Sequence, residues 1–171
     1  MTTPVIRPLL PDPRDVDALA SILVATVAGG GSVGFLHPVS REVAARFWQA
    51  GLEGAARGER IILGAFLAGE LAGTVTLQLA LPENQPHRAE IAKMMTLPAF
   101  RGRGIASALL EEAERLARAR GRTLLVLDTA SEGGAAGLYE KRGFLCAGEI
   151  PGFALKPQGG LTGTRLYFKQ I

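Results

Sequence analysis

Residues 91 to 106 constrain this chain more than any other stretch. A mostly apolar run from Ile91 to Leu97 is followed by Pro98 and then by Arg101-Gly102-Arg103-Gly104-Ile105-Ala106. Proline cannot continue a strand ladder, and Ile105, Leu109, Ala113 and Leu116 recur three or four apart, on one face of a helix. The segment therefore reads as strand, glycine turn, helix. A helix entered in this way directs unpaired backbone N–H groups outward at the positive end of its dipole, an arrangement suited to phosphate or pyrophosphate. Arg101 and Arg103 add positive charge beside it. An ordinary strand-to-helix turn would use the same residues, so the rest of the chain has to decide.

Two phosphate loops are excluded by spacing. A dinucleotide fingerprint needs a third Gly or Ala where this chain has Ser107, and a Walker A loop needs a closing Gly-Lys-Ser/Thr that is absent. What remains is Arg-x-x-Gly-x-Ala, which resembles the coenzyme A pyrophosphate loop of the GNAT family of N-acetyltransferases, Gln/Arg-x-x-Gly-x-Gly/Ala. The resemblance implies acetyl-CoA as the acetyl donor. It places Gly102, Arg103, Gly104, Ile105, Ala106 and Ser107 over the pyrophosphate, with Arg101 alongside.

The remaining composition narrows the partners. A chain of 171 residues, 47% hydrophobic and 20% charged, is long enough to bury one core, so a single domain over residues 1–171 is expected. No apolar run approaches the roughly 20 residues that span a bilayer. Met1 to Arg7 lacks the pattern of a secretory signal, so a cytoplasmic protein without membrane attachment is expected. The net charge of +3 comes from scattered bases with no aromatic interleaving, which gives no reason to expect nucleic acid. His37 and His87 are the only histidines and form no Cys/His cluster, so no metal is expected. Cys146, the one cysteine, sits in an apolar stretch and reads as a buried small hydrophobe.

Element signals run the length of the chain. Val5 to Leu10 reads as a strand. Asp12 and Pro13 open a helix to about Ala28 with Val16, Leu19, Ala20 and Leu23 inward. The glycine-rich run Gly29 to Phe35 breaks it. Ser40 caps a second helix carrying Val43, Ala44, Phe47, Trp48 and Leu52. Ile61 to Ala68 and Leu71 to Leu81 form a hairpin around Gly69-Glu70, and Arg88 to Leu97 is the next strand. The helix after the glycine turn runs to about Arg120, where Glu111–Arg115 and Glu114–Arg118 are neighbours, and Gly121 ends it. Leu124 to Asp128 is a short strand and residues 134 to 142 a helix. Phe144 to Ile150 and Thr164 to Lys169 are two strands joined by a loop from Pro151 to Gly160. The order β-α-α-β-β-β-α-β-α-β-β indicates an α+β layer fold, a mixed central sheet with helices on both faces, and it is the order of the GNAT family.

Leu138-Tyr139-Glu140-Lys141-Arg142-Gly143-Phe144 resembles the family segment Leu/Phe-Tyr-x-x-x-Gly-Phe. The resemblance makes Tyr139 the acid that protonates the departing thiolate. It also gives the Met94 and Thr96 positions main-chain hydrogen bonds to the pantetheine arm. Many members carry Asn where this chain has Glu132, which therefore stays outside the cofactor set. An amine nucleophile must lose a proton, and Glu90 and Asp128 are the acids at successive strand ends. They would border one opening if their strands are parallel and splay. Glu90 pairing with Arg88, and Asp128 starting a turn, are equally open readings.

Segments 30–35, 88–90, 127–129, 148–152 and 167–169 further resemble the tabtoxin-resistance type within the family, a small-molecule branch whose acidic pair falls at Glu90 and Asp128. An acceptor site is expected under the loop Gly29 to Pro38, where Ser32 and an exposed-looking Phe35 lie, and under Pro151 to Gly160. Two acids there would attract a cationic amine or amino acid. The leading expectation is direct acetyl transfer to a small-molecule amine in a ternary complex, by a monomer or homodimer. A protein N-terminus or lysine as acceptor, and a non-catalytic coenzyme-binding domain, are the alternatives.

Overall fold

The computed structural model describes residues 3–171. Its elements are β1 (Val5–Pro8), α1 (Pro13–Ala28), α2 (Arg41–Ala56), β2 (Arg60–Leu67), β3 (Glu70–Gln78), β4 (Arg88–Thr96), α3 (Ile105–Ala119), β5 (Leu124–Ala130), α4 (Ala136–Lys141), β6 (Leu145–Leu155) and β7 (Leu161–Gln170). This is the order expected from the sequence, an α+β fold. One seven-stranded sheet runs β1-β2-β3-β4-β5-β7-β6. Every neighbouring pair is antiparallel except β4 and β5.

Local chemistry sets the helix ends. The Asp12 side chain accepts from the Arg14 N–H at 2.8 Å with Pro13 in the first turn, and Ser40 Oγ accepts from the Val43 N–H at 3.1 Å. Arg7 grips buried Asp15 through two bonds of 3.0 and 2.9 Å, tying β1 to α1. Helices α1 and α2 cover one face of the sheet, with Leu19, Leu23, Trp48 and Leu52 meeting Ile62, Leu71 and Met95. Helix α3 covers the other, with Ile105, Leu109, Ala113 and Ala117 against Leu63, Val75, Leu77 and Leu125. Gly73 permits that approach: a Cβ there would stand 2.8 Å from Ile105 Cγ2 and 2.9 Å from the Met95 carbonyl oxygen. Because both faces are covered, the alternating Thr74 and Thr76 of β3 are buried like Val75 and Leu77 beside them.

Several local expectations need correction. The β2–β3 turn consists of Ala68 and Gly69, both at positive φ, as a two-residue hairpin turn of this hand requires. Val43 points outward. Arg115 pairs with Glu112 and not Glu111, which instead reaches Arg142. The segment Pro151 to Gly160 is not one loop, since β6 runs on to Leu155 and β7 starts at Leu161. Pro151 is tolerated because β6 is the outermost strand and its pairing with β7 skips between Ile150 and Ala154. The same edge position leaves Cys146 exposed, not buried.

Strands β4 and β5 create a break in this sheet. Their pairing covers only Arg88–Glu90 against Leu124–Val126, after which they part. Beyond Glu90, the β5-facing edge of β4 has no strand partner among the described residues, while its other edge still pairs with β3 at Ala92, Met95 and Thr96. An unpaired interior strand edge leaves backbone donors and acceptors for a ligand.

Candidate active site

The gap between β4 and β5 opens into a cleft of about 920 Å³. One wall is β4 from Ile91 to Thr96, the other is Asp128 to Ala130 with Tyr139. The rim comes from the α1–α2 loop and from β6 and β7.

At one end stands the glycine turn. Gly102 and Gly104 have φ of 74° and 75°, the left-handed region, and α3 starts immediately after Gly104 with no side chain capping it. The first N–H groups of α3 are therefore available. A Cβ at either glycine would meet nothing within 4 Å, so conformation and not crowding demands glycine here. Arg101 and Ala106 line the cleft, while Arg103 turns away to lie 5.6 Å from the Phe100 ring centroid. Of the strand residues singled out from sequence, Met94 and Thr96 both line the cleft on the unpaired reach of β4.

Tyr139 enters from α4, and the residues after it explain its placement. The Phe144 N–H bonds the Tyr139 carbonyl oxygen at 3.0 Å and the Gly143 N–H bonds that of Glu140 at 3.0 Å, with Gly143 at φ 84°. This double cap ends the helix one turn after Tyr139 and folds Phe144 back over it, ring centroids 5.8 Å apart. Tyr167 closes the other side at 6.2 Å. Tyr139 is 5% exposed, and burial, helped by the negative charge of Asp128, pushes its phenol up to about 12. The side chain thus keeps its proton at any physiological pH.

Asp128 and Glu90 lie on one face of the sheet, as Val126, the strand partner of Glu90, is two residues before Asp128. They are not equivalent. Asp128 is exposed in the cleft, with Oδ2 accepting from Thr164 Oγ1 at 3.0 Å. Glu90 sits at the last rung before the split, 2.5 Å from Arg88 Nη1, and does not line the cleft.

The two rim segments meet as well as face each other. The His37 N–H bonds the Pro157 carbonyl oxygen at 2.9 Å, and Gln158 Nε2 donates to the carbonyls of Val27 and Ala28 at 3.3 and 3.2 Å. Ser32 is exposed on this rim. Phe35 is half-buried, edge-on to Phe47 at 5.2 Å, and is not the exposed ring its sequence context implied.

Lys93 was not singled out from sequence. It lies in the cleft at φ 51°, where the β3–β4 register slips, with Nζ 5.8 Å from the Phe47 ring centroid. Burial pulls its ammonium below the usual lysine value, and Asp128 pulls it back up. A signal existed: a lone charge in the middle of the apolar run from Ile91 to Leu97, too far from either end to be solvated as a strand terminus.

A mixed sheet split at its parallel junction, with a glycine-opened helix at the split and a buried phenol opposite, sets an anion site beside a proton donor. The family model "Acetyltransferase (GNAT) family" matches residues 32–144, and the chain belongs to that family. It is 33% identical over 118 residues, 67% of each chain, to an uncharacterized N-acetyltransferase from the hisH-hisA intergenic region of Azospirillum brasilense. Among solved structures it is similar to ribosomal-protein-alanine N-acetyltransferase from Brucella melitensis (TM-score 0.83, 24% identity, covering 98% of this chain and 99% of that one). It is also similar to yncA of Salmonella typhimurium with its cofactor acetyl-CoA (TM-score 0.79, 20% identity, 99% and 94%). The chain is therefore an N-acetyltransferase of this family. Among the described residues no helix is long and apolar enough to cross a membrane.

Proposed function

We propose that the protein transfers acetyl from acetyl-CoA directly to the amino group of a small molecule, with both substrates bound together. The observation that carries this reading is the stitched rim. With the α1–α2 loop bonded to the β6–β7 turn through His37, Pro157 and Gln158, the acceptor end is fenced, which favours a compact acceptor over an extended peptide.

The bound acetyl-CoA supplies an activated thioester. The free N–H groups of residues Gly104 to Ser107, with Arg101, hold its pyrophosphate, and the unpaired edge of β4 around Met94 and Thr96 receives the pantetheine arm as a strand partner would. Asp128, exposed in the cleft and fixed by Thr164, takes the proton that the acceptor amine must lose, directly or through water. Glu90, held by Arg88 at the edge of the split, is the second acid and draws the cationic amine toward the cleft at longer range. Tyr139 donates its hydroxyl hydrogen to the sulfur as the carbon–sulfur bond breaks.

A panel of small amines, amino acids and short peptides, assayed for coenzyme A release and acetylated product, tests the reading. Turnover of at least one small amine is expected. Product only from peptides or proteins would replace it with the protein-acetylating alternative.

A further inference from the structure

The cleft is not the purely acidic pocket that the sequence implied. Glu90 is matched by Arg88 and Glu132 by Lys156 at 3.3 Å, which leaves Asp128 as the uncompensated carboxylate and Lys93 as an uncompensated cation beside it. Among the described residues no carboxylate pairs with Lys93 and no side chain accepts a hydrogen bond from it. Its surroundings are the Phe47 ring and the backbone of Gly34, where a Cβ would stand 3.6 Å from Nζ. A half-buried ammonium with no anionic contact is a costly arrangement, and burial visibly disfavours its charged form. The backbone that presents it is also unfavourable, since φ 51° lies in the left-handed region that side chains other than glycine's rarely adopt.

We infer that Lys93 binds an anionic group of the acceptor, a carboxylate carried on the same small molecule as the reacting amine. The inference rests on the small-molecule reading above and adds a second point of attachment. Asp128 and Tyr139 face the amine, and Lys93, on the opposite strand, faces the carboxylate. Phe35 and Phe47 form the apolar wall beneath the loop that carries Gly34. Asp128 and Lys93 interact without touching, so a zwitterionic acceptor can lie between them with both of its charges answered. A simple cationic amine would leave Lys93 repelling it. An anion at Lys93 would restore the proton affinity that burial removes.

The test compares α-amino acids with their own carboxamides as acceptors, for the wild type, Lys93→Met and Lys93→Arg. The readout is the ratio of kcat/KM for acid over amide at one pH. Taking the change in this ratio between variants cancels the lower amine pKa of the amides. In Lys93→Met the ratio should fall by about tenfold or more, through KM of the acid, and Lys93→Arg should restore most of it. Acetyl-CoA affinity, measured separately by calorimetry, reports folding and the coenzyme half of the site. A ratio that Lys93→Met leaves in place, or a loss confined to acetyl-CoA affinity, overturns the inference. Turnover of small amines with no preference for a carboxylate would overturn it and leave the small-molecule reading standing. Turnover of peptides alone would overturn both.

Discussion

Replacing Tyr139 with Phe separates catalysis from stability more cleanly than any other change in this molecule. The ring keeps its contacts with Phe144 and Tyr167, and among the described residues the hydroxyl has no hydrogen-bond partner to lose. Stability near neutral pH should therefore change by no more than about 0.5 kcal/mol. Catalysis should not be spared. An unperturbed thiol has a pKa of about 8.5, well below the phenol's value of about 12. Full proton transfer to a water-like thiolate would run uphill, so in the proposed mechanism Tyr139 would act as a hydrogen-bond donor whose proton moves only as the desolvated sulfur gains charge. General-acid assistance of this kind is worth about 10²–10⁴ in rate, or roughly 3–5 kcal/mol. Single-turnover kinetics with saturating acetyl-CoA measure it directly, and coenzyme affinity should stay near wild type. The same residue predicts an alkaline signature. Across the window from 10.0 to about 12 the native phenol holds a proton that the unfolded one has released. The native state binds more protons there, so stability is intact below that window and falls by about 2–3 kcal/mol as pH rises through it. Tyr139→Phe should lack this component of the loss. A single-turnover rate within about threefold of wild type would remove Tyr139 from the chemistry.

Asp128→Asn keeps an oxygen for Thr164 and removes only the charge, so kcat/KM should drop much more near about pH 7 than near about pH 9, where amines with a pKa of about 8 are already neutral. In the same variant an ultraviolet titration should find the Tyr139 phenol ionising below its wild-type value of about 12, and an unshifted profile in both assays would make Asp128 structural. Gly104→Val forces a β-branched residue to φ 75° and should weaken acetyl-CoA by about tenfold or more, with calorimetry on folded protein as the check and wild-type affinity as the contrary result. Gly73→Ala puts a Cβ 2.8 Å from Ile105 and 2.9 Å from a backbone oxygen, so urea unfolding should report a loss of about 1–3 kcal/mol. An unaltered midpoint would mean that α3 is free to shift away from the sheet.

What could be read from sequence was whatever chemistry acts over a few residues. Asp12 with Pro13, Ser40, Gly121 and Gly143 each mark a helix end through a bond or a φ that their own neighbours fix, and all were legible. So was the strand–glycine–helix unit at Gly104. What was missed depends on partners distant in the chain. Pro151 breaks a central strand but not an outermost one, and only the sheet order says that β6 is outermost. The same fact exposes Cys146. Phe35 is covered because Phe47 of α2 reaches it, and Glu90 stays out of the cleft because β4 and β5 part only beyond it, which the register between two strands decides. Lys93 stood out as a lone charge in an apolar run, but that it enters the cleft depends on a register slip between β3 and β4.

The rim bonds have a consequence for anyone wishing to retarget the enzyme. Pro157 and Gln158 hold the α1–α2 loop by its backbone: a proline carbonyl meets the His37 N–H, and a glutamine amide meets the last carbonyls of α1. The side chains around the acceptor mouth, Ser32 and Phe153 among them, take almost no part in these contacts and are free to be exchanged. A library that varies those side chains while keeping both backbones and Gln158 explores new acceptors on an intact frame. A graft of either loop alone severs the two ends of a clasp whose halves lie more than a hundred residues apart, and delivers a floppy mouth in place of a new specificity.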